Sequence, residues 1–219
     1  MSGLAKTLLT ATPMIFAGLA VMMAFKAGLF NIGGQGQMIM GGLAAAVVGI
    51  YVKNVLFGNF VVAIIAAGIA GFLWASIAGI LKAKFGVHEV ISTIMLNYIA
   101  INLQNYLLNY PIKDPASQNV QTMKVWEPAR LFLLAPGTKQ KLNFGFILAI
   151  IAVIIVWYFF KKTKQGYEMT AVGLNSTAAE NAGIKIKRNI ILAMGLAGML
   201  AGIGGAERVL GGSAQYTYT

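Results

Sequence analysis

The sequence predicts an all-α fold, a polytopic transmembrane helical bundle, and three observations predict it. Hydrophobic residues make up 58% of the 219 residues and charged residues 11%, whereas a soluble domain carries roughly 25% charged residues. Mean hydropathy is +0.74. Apolar runs follow one another along the chain at lengths close to the ~20 residues that cross a bilayer, and polar or glycine-rich stretches separate them.

The same composition excludes several classes of function. There is no cysteine and a single histidine, His88, so thiolate and multi-histidine metal sites are not expected. No cofactor is implied. The net charge of +11 is spread over short loops, which suits anionic lipid headgroups and the positive-inside rule. Nucleic acid needs a continuous basic surface, so no nucleic-acid partner is expected.

About six spans are expected within one transmembrane domain, residues 1–219. Thr7–Phe25 is the first, with Pro13 early in it; a membrane helix tolerates proline when neighbours satisfy the freed carbonyl. It does not read as a signal peptide, because Phe25–Lys26 follows where small residues should lie. Lys26–Gln37 (KAGLFNIGGQGQ) combines four glycines with three amide side chains. It reads either as a turn between helices or as a helix break facing a transport path, since irregular backbone at membrane depth must line a cavity or be covered by protein. A phosphate-cradling loop is disfavoured, because no strand precedes it and no Gly-Lys-Ser/Thr ends it.

Met38–Phe57 and Phe60–Leu81 are the second and third spans, joined by Gly58–Asn59. Lys53 near the end of the second is placed to snorkel. Gly68, Gly71, Ala75 and Gly79 lie along one side of the third, where small residues let membrane helices approach closely. Leu81–Glu89 is read as a loop. Val90–Asn109 is the fourth span, and Glu89, Thr93, Asn97 and Gln104 share one face of it. Polar groups in lipid are costly, so that face should look inward. It either fastens the bundle or lines a path for a polar solute.

Residues 110–143 form a long loop with four prolines, Trp126 and Arg130. Loops of this length are often functional. Phe144–Phe160 is the fifth span and Asn189–Val209 the sixth, with Gly195, Gly198, Gly202 and Gly205 at close-packing spacings. Between them lies the polar island 161–188, with six basic residues and two acids, Glu168 and Glu180. Within it, residues 176–183 read as a short helix of small residues. Asn175, Ser176 or Thr177 can cap its start and Gly183 can end it. Ala178, Ala179 and Ala182 leave no bulk, and Glu180 offers one charge to a basic partner.

Excess Lys and Arg place the island in the cytoplasm. Alternation then puts the 82–89 loop and the 26–37 segment on the cytoplasmic side, and the 110–143 loop outside. The N-terminus comes out on the outer side, which is awkward for a first span. Together with the abrupt end after the sixth span, this suggests a piece of a longer permease, truncated at both ends; the same six spans could instead form a complete small subunit.

Three stretches carry a family resemblance: Ala24–Gly42 (AFKAGLFNIGGQGQMIMGG), His88–Ala100 (HEVISTIMLNYIA), and Gly173–Ile184 (GLNSTAAENAGI) with its glycine-rich sequel Gly195–Leu210. In this order, over nearly the whole length, the chain resembles the permease subunit of bacterial ABC importers for nucleosides and simple sugars. That group lies within the ribose and branched-chain amino acid permease superfamily. His88 stands where the family often has asparagine, and members are usually longer.

The resemblance implies a multi-pass protein of the bacterial plasma membrane. Its partners would be a second permease subunit, a cytoplasmic ABC ATPase and an extracellular solute-binding lipoprotein. It also implies that Gly173, Asn175, Ser176, Thr177, Ala178, Ala179, Glu180 and Gly183 form the ATPase-coupling element. Asn31, Gln35, Gln37, Thr93, Asn97 and Gln104 are the candidate translocation path, for a neutral hydroxyl-rich solute that Tyr98 or a Phe could stack upon. Trp126 and Arg130 are the candidate receptor-facing residues, unless their loop only caps the bundle.

The alternative function is a stand-alone secondary transporter or channel, which usually needs intramembrane acids or bases; none lies at the centre of a span. An intramembrane hydrolase built on Ser92 and His88 would lack an orienting carboxylate other than Glu89.

Overall fold

The structure is a computed structural model describing residues 2–52, 58–115, 117, 119–134, 143–213 and 216. Lys53 lies outside the described residues. The helices are α1 (Ser2–Lys26), α2 (Gly34–Tyr51), α3 (Asn59–Phe85), α4 (Glu89–Asn109), α5 (Gly145–Lys162), α6 (Lys164–Leu174), α7 (Ser176–Asn181) and α8 (Ile186–Glu207). A π turn, Arg208–Ser213, prolongs α8.

Helices α1, α3, α5 and α8 are long and apolar enough to cross a membrane. Among the described residues, the other two expected spans, α2 and α4, fall short of that measure; Gln35 and Gln37 lie in the one, and five Asn and Gln residues are scattered along the other. The result is an all-α polytopic bundle.

Small residues decide which helices sit at the centre. Gly71 of α3 and Gly198 of α8 meet backbone to backbone: a β-carbon on either would collide with the other's carbonyl oxygen. Gly202 meets Ala67 in the same way, and Gly205 meets Met38 of α2. Without bulk between them, the backbones approach closely enough for dispersion to hold the seam. The small-residue positions expected on the third and sixth spans therefore form one interface, except Gly205, which faces α2.

Large apolar residues decide the outside. Ile65, Ile69, Leu73 and Ile77 run along the exposed side of α3, and Ile150, Ile154, Ile155 and Trp157 along α5. Such faces belong in hydrocarbon or against further helices.

Two ends can be told apart. At one lie Lys26, Lys82, Lys84, the basic residues 161–164 and the start of α8. Here α3 ends with Gly86 in the left-handed region. Lys82 Nζ lies 2.8 Å from Glu89 Oε2. The helix α3 thus runs four residues further than its sequence suggests, and its connection to α4 is short. At the other end the described part of the 110–143 loop folds onto the bundle. Ile112, Val125, Ala129 and Leu131 are buried in a core cluster with Leu43, Ile50 and Leu108.

The polar island differs most from its sequence reading. Its first half, expected as loop, is helix α6. Thr163 caps it by accepting from the Gly166 backbone N–H at 3.1 Å. Gly166, Met169 and Val172 form its buried side, a helical spacing of three. Asn189 of α8 donates to Glu168 Oε2 at 3.3 Å, tying α6 to the central helix.

Candidate functional site

Two features make up the site: a short exposed helix at the basic end, and a cavity beside the break between α1 and α2.

The short helix is α7. Asn175 breaks the chain from α6 with extended backbone, and its Oδ1 accepts from the Ala178 N–H at 3.0 Å. Of the three possible caps, Asn175 is therefore the one used. At the other end Gly183 takes φ +79°, in the left-handed region. Its N–H donates to the Glu180 carbonyl at 2.8 Å, and the Ile184 N–H donates to the Ala179 carbonyl at 3.0 Å. These two bonds are a Schellman termination. Ser176, Thr177, Ala178 and Glu180 are exposed, whereas Ala179 is 4% exposed. The sequence treats the alanines alike; the structure turns Ala179 toward the bundle and leaves Ala178 outward.

Gly173, one turn before α7, joins this element to the break. A β-carbon on Gly28 would lie 3.1 Å from Gly173 Cα, and one on Gly173 would strike the Lys26 carbonyl oxygen. Gly28 itself has φ +72°. Two glycines thus let the end of α6 and the end of α1 abut with bare backbone.

Beyond Gly28 the chain stays irregular until Gly34. A β-carbon on Gly33 would meet Thr93 Cβ at 3.1 Å, and one on Gly36 would meet Asn97 Cα at 3.1 Å. Helix α2 therefore begins beside the second and third turns of α4, inside the bundle. Residues 27–33 thus join two helices and, at the start of α2, lie against α4. Of the three amides in 26–37, Asn31 and Gln37 are buried and satisfied by protein, as buried polar groups require, while Gln35 is exposed. Asn31 Nδ2 donates to Gln37 Oε1 at 3.1 Å, and Gln37 Nε2 donates to Asn31 Oδ1 at 3.0 Å. Asn31 Oδ1 also accepts from the Gly33 N–H at 2.9 Å. Asn97 Oδ1 accepts from the Gly36 N–H at 2.8 Å, and its Nδ2 donates to the Ile32 carbonyl at 3.0 Å.

The cavity beside this break has a volume of about 640 Å³. Asn31 and Gln35 line it, with Phe25, Phe30, Arg208 and Tyr216. The six candidate path residues therefore divide. Thr93 turns its hydroxyl onto the Glu89 carbonyl at 2.8 Å. Gln104 accepts from the Tyr216 hydroxyl at 2.8 Å. Gln37, Thr93 and Gln104 are each 1% exposed, so they fasten the bundle and do not form the cavity wall; Asn97 anchors the break. Tyr98 is absent from the lining and stands exposed on α4. Phenylalanine, the other aromatic offered for stacking, does line it, at Phe25 and Phe30 on either side of the break; the sequence reading left their positions unnamed.

Trp126 and Arg130 sit half-buried on the opposite end. The Trp126 N–H donates to the Gly49 carbonyl at 3.0 Å, and Arg130 Nε to the Val125 carbonyl at 3.0 Å. They help dock their loop on α2. Ser92 and His88 form no dyad: the Ser92 hydroxyl donates to the His88 carbonyl oxygen at 3.2 Å, and the ring caps α4 through Val90 N–H.

Residues 3–216 match the permease component of branched-chain amino acid transport systems. The chain belongs to this permease family. Within it, the chain is 41% identical over 209 residues to the guanosine ABC transporter permease protein NupP of Bacillus subtilis, covering 94% of this chain and 59% of that protein. It is 36% identical over 207 residues to the nucleoside ABC transporter permease protein NupB of Lactococcus lactis, covering 91% of this chain and 57% of that one. It is 34% identical over 222 residues to the glucose ABC transporter permease protein TsgB13 of Haloferax volcanii, covering 98% and 58%. The chain thus spans less than two thirds of the length of these permeases. No solved structure matches it.

Proposed function

We propose that the chain is the permease subunit of an ATP-binding-cassette importer in a bacterial plasma membrane. It forms the pathway for a neutral, hydroxyl-rich solute, a nucleoside or next a simple sugar. A cytoplasmic ATPase hydrolyses ATP and grips α7. A second permease subunit completes the membrane unit, and an extracellular solute-binding lipoprotein delivers the solute to the end that carries Trp126 and Arg130.

The observation that carries this reading is the placement of α7. It is capped at both ends, exposed on Ser176, Thr177, Ala178 and Glu180, and set among the basic residues that the positive-inside rule assigns to the cytoplasm. Through Gly173 it abuts Gly28, two residues from the cavity-lining Phe30. A push on α7 therefore has a short, rigid route to the cavity wall, and alternating access needs such a route.

Co-purification tests it. The chain, expressed with a candidate ABC ATPase from the same genome, should retain the ATPase. Glu180→Lys and Ala178→Trp, both on the exposed side, should release it without altering membrane insertion. An ATPase held equally by wild type and both variants, or solute uptake driven by protons or sodium without any ATPase, contradicts the reading.

A further inference from the structure

The cavity beside the helix break has a chemistry of its own, and we propose that it receives the planar base of a nucleoside, with Gln35 reading the base edge and Phe25 and Phe30 covering its face. The proposal rests on the permease reading above and narrows its solute.

The polar inventory of the cavity decides between base and sugar. The Asn31 amide is already engaged on both its atoms by Gln37 and Gly33. The Tyr216 hydroxyl is donated to Gln104. Among the described residues, Gln35 and Arg208 are the lining side chains whose polar groups are wholly unengaged; Asn31 keeps one Nδ2 proton and Tyr216 its hydroxyl lone pairs, both on side chains that are otherwise buried. The rest of the wall is mostly apolar, with Ala17, Val21, Ile32 and Met38 among it. A hexose entering here would strip water from hydroxyls on every side and find few partners for them, which is unfavourable.

A nucleobase has the opposite distribution. Its two faces are apolar and flat, and its polarity lies along one edge with a donor next to an acceptor. A carboxamide presents a donor beside an acceptor and pairs with such an edge bidentately. Gln35, exposed on the first turn of α2, has that pair free. Phe25 and Phe30 stand edge to face with ring centroids 4.9 Å apart, and both keep exposed ring surface at the cavity. Base–aromatic stacking is sequence-tolerant because every base has a π-face. Arg208 then remains for the ribose oxygens. The volume of about 640 Å³ is ample for one nucleoside.

Photolabelling of the intact, detergent-solubilised transporter with an azidopurine nucleoside, without its receptor, tests the assignment. Label is expected within residues 25–39, protected by excess unlabelled nucleoside and not by glucose. Gln35→Ala and Phe30→Ala should each weaken protection by about tenfold, the scale of one lost hydrogen bond or stacking contact. Phe30→Tyr, which keeps the ring, should restore it. Label outside residues 25–39, protection by glucose, or unchanged protection in both alanine variants overturns the proposal. The ATPase content of the same preparation reports on the permease reading separately. Retained ATPase with no label in 25–39 defeats the base site alone; specific label with no ATPase bound supports the base site and defeats the importer.

Discussion

Helices α5 and α8 are both apolar enough to span a membrane, yet they occupy opposite places. In its most apolar stretch α8 is 67% buried and α5 only 17%. The more apolar of the two is the one left outside; side-chain size accounts for the difference. Helix α8 presents Gly198, Gly202 and Gly205 to its neighbours, and α5 presents isoleucines, a tryptophan and a tyrosine outward. In a hydrocarbon solvent there is no hydrophobic gain from burying a large apolar side chain, so close backbone approach ranks helices from centre to rim.

The sharpest way to break this comparison is to place bulk in the seam. Gly198→Leu should destabilise the protein by about 3 kcal/mol or more, because it meets the Gly71 backbone, which cannot yield. Ile155→Ala on the exposed face of α5 should change stability by less than about 0.5 kcal/mol. Thermal unfolding in detergent, followed by size-exclusion chromatography, reads both, and equal shifts would abolish the distinction.

A second test concerns the polar lock at the far end of α8. Asn143 Nδ2 donates to the buried Glu207 carboxylate at 2.9 Å and its Oδ1 accepts from the Gly145 N–H at 2.7 Å. Asn143→Ala should cost about 2 kcal/mol by leaving two buried groups unmet, again seen as a lower melting temperature. The rim should respond less. Asn175→Ala removes the α7 cap and should cost about 1 kcal/mol, confined to α7: hydrogen exchange at residues 176–183 should quicken while the melting temperature holds. Last, Glu89→Gln removes the charge that Lys82 pairs with; the Glu89 side chain is buried but Gln can still accept from Lys82, so melting should fall by the equivalent of about 1 kcal/mol, a difference that high salt should reduce only in part.

Much of the bundle was legible in the sequence, because glycine spacing and apolar runs act locally. The short helix after Asn175 was legible too, since a capping amide and a terminating glycine bracket it. Helix α6 was not. Its polar exposed side hides a buried side of only Gly166, Met169 and Val172, and three small or flexible residues make a faint periodic signal. The candidate path was half legible. The spacing of Thr93, Asn97 and Gln104 correctly indicated an inward face, but spacing cannot tell a side chain that lines a void from one consumed by a neighbour. Asn31 and Gln37 show the difficulty most plainly: each amide finds its complement six residues away, and only coordinates reveal that the pair is closed.

The abutment of Gly28 and Gly173 has a consequence for regulation. Bare backbones carry no rotamers that could absorb a displacement, so a shift of either side presses directly on the other. Coupling free energies are reciprocal. On the importer reading proposed above, a molecule lodged in the cavity would alter an ATPase's grip on α7 by the same factor by which that grip alters the cavity, through two residues that have no side chains at all.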